Sequence, residues 1–105
     1  MAQFDIYRNE DESTRTRFPY LLDVQVDLLS DLPTRLVVPL RSGTGAEPWA
    51  IARLHSVLMV GDLSLIAVFS EMAVVLSTVL GNRIGDARQQ RTELIAADDL
   101  LVTGF

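Results

Sequence analysis

Apolar and polar residues alternate with a period of two through much of the chain, the spacing of half-buried β-strands. Positions 3–7 place Phe4 and Ile6 on one face and Gln3, Asp5 and Tyr7 on the other. Positions 8–17 are almost entirely polar and predict an exposed loop. Positions 20–29 alternate most clearly, with Leu22, Val24, Val26 and Leu28 on one face and Leu21, Asp23, Gln25, Asp27 and Leu29 on the other. Either Leu28 or Leu29 must therefore face outward. Asp31-Leu32-Pro33 is turn chemistry. The next strand covers 35–40, and Pro39, lacking an amide donor, predicts an edge or strand end there. Two glycines and a proline make 41–48 a loop.

Two apolar runs, 54–60 and 63–69, flank Gly61-Asp62 and predict a tight hairpin. Positions 71–80 fit a strand or a short helix, with a strand of irregular ends the better fit. Gly81 and Gly85 bracket a break. Asp86 and Gln89 have the spacing of a capping box, and 87–101 is helical by composition, with Leu94, Ala97 and Leu101 on one face. Many antiparallel strands followed by one helix predict a mainly β fold, a small bent sheet or partial barrel with a C-terminal α-helix packed against it.

Composition adds bounds. The chain is one domain's worth, 1–105, and its 49% hydrophobic content supplies a core. A domain of this size buries a modest share of its surface, so pairing with a second copy would help. There is no cysteine, which excludes disulfides and thiolate metal sites and fits a cytoplasmic location. The net charge is −5, with 14 acidic and 9 basic residues, all nine of them arginine. Such a balance disfavours direct binding of nucleic acid, which needs clustered cations. The opening residues are too polar for a secretory signal. The apolar stretch 54–80 is broken by His55, Gly61, Asp62 and Glu71, so it predicts buried strands and no membrane span.

The inventory of reactive groups is thin. His55 is the lone histidine, no nucleophile elbow surrounds any serine, and no phosphate loop, zinc pattern or calcium loop is present. No cofactor is implied. Asp23 and Asp27 share a strand face with Gln25, which predicts a solvated face rather than an acid–base pair. Asp98 and Asp99 fall late in the predicted helix, where the macrodipole disfavours negative charge. The chain ends in Leu100-Leu101-Val102-Thr103-Gly104-Phe105. An apolar end of this kind either packs on its own domain or a dimer mate, or forms a recognition surface.

These residues resemble a family. Gln3-Phe4 with Tyr7, Asp23-Val24-Gln25 followed by Asp27-Leu28-Leu29, and Arg35-Leu36-Val37-Val38-Pro39-Leu40 are similar to the N-terminal half of the CcdB toxins. The Gly61-Asp62 hairpin, Met72-Ala73, Leu80-Gly81, and the terminal Leu100-Leu101 with Gly104-Phe105 are similar to the remainder. The resemblance implies an SH3-like, partly open barrel, shared with MazF-type toxins, and a homodimer. It also implies a non-enzymatic toxin of a type II toxin–antitoxin pair, which binds the GyrA subunit of DNA gyrase and traps the enzyme on cleaved DNA. A CcdA-like antitoxin would neutralise it, and operator DNA would be reached only through the antitoxin complex.

Carried over by position, the gyrase contacts would be Leu28, Leu29, Asp99, Val102, Thr103, Gly104 and Phe105. Thr103 stands where the family pattern has tryptophan, Phe105 where it has isoleucine, and Asp99 where it has asparagine. Arg8, Arg15, Arg17, Arg35, Arg41 and Arg53 would offer charge-assisted contacts to an acidic antitoxin segment. Two other functions compete: a MazF-type ribonuclease, which would need a basic groove and acid–base residues, and a diverged relative that no longer poisons gyrase.

Overall fold

The structure, a computed structural model, describes residues 3–25, 33–43 and 55–88, with the backbone alone at 55 and 56. Within the described residues seven strands follow one another: β1 (Asp5–Asn9), β2 (Tyr20–Asp23), β3 (Thr34–Ser42), β4 (His55–Val60), β5 (Leu63–Val68), β6 (Ala73–Leu76) and β7 (Leu80–Asp86). Single 3₁₀ turns, Phe69–Glu71 and Ser77–Val79, link β5 to β6 and β6 to β7. All pairings are antiparallel, in one sheet ordered β4-β5-β3-β2-β1-β7, with β6 pairing to β3 off this path. The two outer strands of that order come together at Gly85, where an added Cβ would lie 2.7 Å from Val60 Cγ1. The sheet is thus curled into a half-barrel. The helix predicted over 87–101 lies, from Gln89 onward, outside the described residues.

Ile6 pairs with Leu22, and Leu22 with Val38, forming a row of fully buried aliphatics across three strands. Around it Phe4, Leu40, Leu58, Leu65, Ala67, Phe69 and Ala87 complete the core. Each large aliphatic removed from water here contributes about 1.5–3 kcal/mol. The hairpin forms where the sequence places it. Val60 pairs with Leu63, and Gly61 takes φ +59°, the left-handed angle that a II′ turn needs at its first central residue.

Three expectations require correction. Pro39 is not at an edge, because β3 lies mid-sheet, between β2 and the β5 and β6 strands. The pairs to β6 end at Val37 and those to β5 begin at Leu40, so Pro39 faces the interval spanned by the Phe69–Glu71 turn. The break read between Gly81 and Gly85 is β7 itself, whose register against β1 shifts twice. Small residues there mark bulges and close approach instead of a chain break. Finally, the polar loop predicted over 8–17 begins later. Arg8 and Asn9 belong to β1, and buried Asn9 donates to Phe18 O (2.9 Å) and Thr14 Oγ1 (3.0 Å) while accepting from Asp11 N (3.0 Å).

Candidate functional site

All seven positions predicted to meet gyrase (Leu28, Leu29, Asp99, Val102, Thr103, Gly104 and Phe105) lie outside the described residues. So does Arg53. The structure does describe where the two segments that carry them are rooted. One follows β2 and the other follows β7, and β1 lies between those strands. Both strands run antiparallel to β1, so both end beside its first residues: Asp86 pairs with Asp5, and Phe4 N donates to Asp23 O (2.5 Å).

Phe4 makes this junction. It adopts φ 71°, the one positive φ at a non-glycine residue among those described. A bulky side chain in the left-handed region costs about 1–2 kcal/mol. The conformation is stabilised by burial of the ring, which is 4% exposed within the core, and by both main-chain groups being bonded. The carbonyl accepts from Ala87 N at 2.8 Å.

Beside Phe4 lies a polar network that alternation alone assigned to solvent. Asp23 is fully buried and its Oδ2 accepts from Arg35 Nε (2.9 Å) and Nη2 (2.5 Å). Its Oδ1 accepts from Gln25 N at 3.0 Å, and Gln25 Oε1 accepts from Leu36 N at 3.0 Å. Burial raises the Asp23 carboxyl above its ordinary range, while Arg35 and the Gln25 amide pull it back. Asp27, its predicted companion, is outside the described residues. Two predictions are therefore corrected. Asp23 and Gln25 are buried, and Arg35 is sealed against Asp23 and offers nothing to an antitoxin. The reason is one of layers: β1, β2 and β3 are covered on both faces, so period two divides two interiors rather than inside from outside.

A second cluster was not anticipated. Asp5, with its side chain 7% exposed, accepts from Tyr7 Oη (3.2 Å), Arg83 Nε (3.0 Å) and Arg88 Nη2 (2.8 Å). Asp86 Oδ2 accepts from Arg83 Nη2 and Arg88 Nη1, each at 3.0 Å, and its Oδ1 from Arg88 N at 3.1 Å. That last bond is the contact an N-cap makes. Burial first, and then the Asp5 charge, push the Tyr7 phenol up to about 12. Asp5 lies 78 and 83 positions from Arg83 and Arg88, so no spacing rule could link it to them.

Of the other arginines, Arg8 lies over the Tyr20 ring (5.9 Å) and Arg17 over Phe18 (4.9 Å), with Glu71 3.4 Å from Arg17. Arg8, Arg15 and Arg17 are exposed, and Arg41 is partly so. Among the described residues, no group of three or more His, Asp or Glu is arranged to hold a metal, and no helix is long and apolar enough to cross a membrane.

Comparison with known proteins places this geometry. The half-barrel is similar to an endoribonuclease from a mycobacterial species, with a TM-score of 0.78 at 11% identity over 98% of this chain and 91% of that one. It is equally similar to a mycobacterial endoribonuclease solved in complex with its cognate antitoxin, again with a TM-score of 0.78 and 11% identity, over 98% of this chain and 95% of that one. At such identity the likeness concerns the fold. The sequence itself matches the family model described as CcdB protein across residues 3–104. That match spans the strands, the buried Asp23–Arg35 pair and the stretch beyond β7 together, and the chain therefore belongs to the CcdB family.

Proposed function

We propose that this protein is a CcdB-like toxin of a type II toxin–antitoxin pair, acting by binding the GyrA subunit of DNA gyrase and not by catalysis. The family match over residues 3–104 carries the reading. It acts as a homodimer in the cytoplasm and is neutralised by a CcdA-like antitoxin. The mycobacterial relative of this fold, solved with its cognate antitoxin, supports a partner of that kind. The contact surface is Leu28 and Leu29 together with Asp99, Val102, Thr103, Gly104 and Phe105.

Thr103 weakens that surface. A threonine cannot supply the flat apolar area of a tryptophan anchor, and losing such an anchor typically costs more than about 2 kcal/mol. The unaltered protein should therefore inhibit a bacterial gyrase weakly, Thr103→Trp should inhibit it strongly, and deletion of Gly104 and Phe105 should remove what remains. Supercoiling and cleavage-complex assays on the three proteins decide this. Failure of both the unaltered protein and Thr103→Trp to bind GyrA would refute the gyrase reading.

The endoribonuclease neighbours favour a second reading, a MazF-type ribonuclease. Against it stand the net charge of −5 and the pairing of Arg35, Arg83 and Arg88 with Asp23, Asp5 and Asp86, which draws cationic charge away from RNA phosphates. Cleavage of a structured RNA by the purified protein at catalytic ratios would favour this second reading.

A further inference from the structure

Strand β6 differs from the rest of the sheet. Its residues, Ala73-Val74-Val75-Leu76, are all apolar, yet none of them is buried. One edge pairs with β3 over Thr34–Val37, and among the described residues no strand pairs with the other edge. Val74 is 65% exposed and Leu76 59%. Opposite them on β3 stand Leu36 and Thr34, both half-buried. The four side chains therefore share one face.

An open strand edge is a template for another strand, and proteins that must stay apart block it with charge or proline. Nothing blocks this one: from Met72 to Asn82 the sequence holds no charged residue and no proline. Strand β4, which also exposes apolar side chains, is different. Its Leu58 is fully buried, and its Val60 lies against Gly85, so β4 closes on β7 within the same chain.

The occupant that fits the β6 edge is a second copy. Turned about a two-fold axis, the strand is its own complement. Antiparallel pairing matches donors to acceptors and sets Val74 and Leu76 of one copy beside those of the other. Two chains of net charge −5 repel one another, so an uncharged strand is where they approach at least cost. The contact occupies the same edge in both copies, and the assembly closes at two. A stable interface buries about 800 Å² per partner, more than a four-residue ladder supplies, and the half-buried Leu36, Met72 and Val79 add apolar surface around it.

We propose that the homodimer forms by antiparallel pairing of β6 with β6 of a second copy, which makes the two sheets continuous. The inference rests on the homodimer of the proposed function and assigns the surface that joins it.

The chain has no cysteine, so single cysteines can be introduced one at a time as Ala73→Cys, Val74→Cys, Val75→Cys, Leu76→Cys and Ser77→Cys. An antiparallel two-fold ladder sets one residue opposite itself, with Cα atoms about 4.5–5.5 Å apart, within disulfide reach. Its sequence neighbours stand more than about 7 Å from their own copies. One of the five variants should therefore crosslink under oxidised glutathione about tenfold faster than those on either side of it. Independently, Val74→Lys with Leu76→Lys should raise the dimer dissociation constant about a hundredfold or more, measured by light scattering on dilution. Met59→Lys on β4 should leave it unchanged. If the double lysine variant does not melt cooperatively, Val74→Thr with Leu76→Thr carries the comparison. A dimer that crosslinks at none of the five positions and is not weakened in the folded variants overturns the β6 assignment and leaves the homodimer standing. A stable monomer for the unaltered protein at micromolar concentration removes both.

Discussion

At the scale of single residues, the buried ion pair dominates. Asp23 and Arg35 are both without solvent exposure, so removing one leaves the other as an unpaired charge in the interior. Asp23→Leu or Arg35→Met alone should cost about 3–5 kcal/mol, whereas the two together should be close to neutral. Denaturant titration of the four proteins measures the cycle. Single losses below about 1 kcal/mol would mean that the pair is not dry. Arg35 Nη1 is the one buried side-chain polar atom without a hydrogen-bond partner among the described residues, a further reason to expect the double replacement to be tolerated. Tyr7 makes a pH prediction. Its phenol is raised from 10.0 to about 12 in the folded protein, so the fold keeps a proton that the unfolded chain has lost. The stability Tyr7 contributes is complete below about pH 10 and is lost as pH rises through 12. Tyr7→Phe should therefore flatten the alkaline fall in unfolding free energy by about 2–3 kcal/mol. Denaturant melts at intervals from pH 9 to pH 12 would show it, and parallel alkaline limbs for the two proteins would count against it.

At the scale of elements, two glycines separate crowding from conformation. Gly85 on β7 has an ordinary backbone angle, but an added Cβ would meet Val60 Cγ1 at 2.7 Å. Gly85→Ala should cost about 1–3 kcal/mol by overpacking, and Val60→Ala beside it should return part of that. Gly61 has nothing within 4 Å, yet its φ is +59°. Gly61→Ala should therefore cost about 1–2 kcal/mol through the backbone alone, with no rescue from any neighbour. Thermal melts of the three variants and the Gly85→Ala/Val60→Ala pair distinguish the causes. The hairpin was legible because its signal is local: two apolar runs and one turn. Strand β7 was not, because Gly81 and Gly85 look like breakers until Glu10, just past β1, and Val60 on β4 are known to lie against them.

At the scale of the whole molecule, the fold leaves apolar side chains uncovered. Val57 and Met59 on β4, Leu63 on β5, and Val74 and Leu76 on β6 are each 40–65% exposed. A small domain with an apolar surplus gains by association. Light scattering at micromolar concentration should give twice the 11.6 kDa chain mass, and a stable monomer there would contradict the homodimer.

Residue order alone was enough for most of the strands, the hairpin and the family, since alternation, turn chemistry and motif order are properties of neighbours along the chain. The family resemblance ran through Gln3-Phe4, Asp23-Val24-Gln25 and Arg35 among other motifs, but the pattern of residues assigned Asp23 and Gln25 to solvent and Arg35 to a partner. The folded chain was needed to reveal that both faces of β1 to β3 are interior, that Asp23 closes on Arg35, and that Asp5 gathers Arg83 and Arg88 from 78 and 83 positions away. The physical reason is the same in each case. Period two says which residues share a face but not what covers that face, and a buried charge is recognised only when the opposite charge that compensates it can be seen beside it.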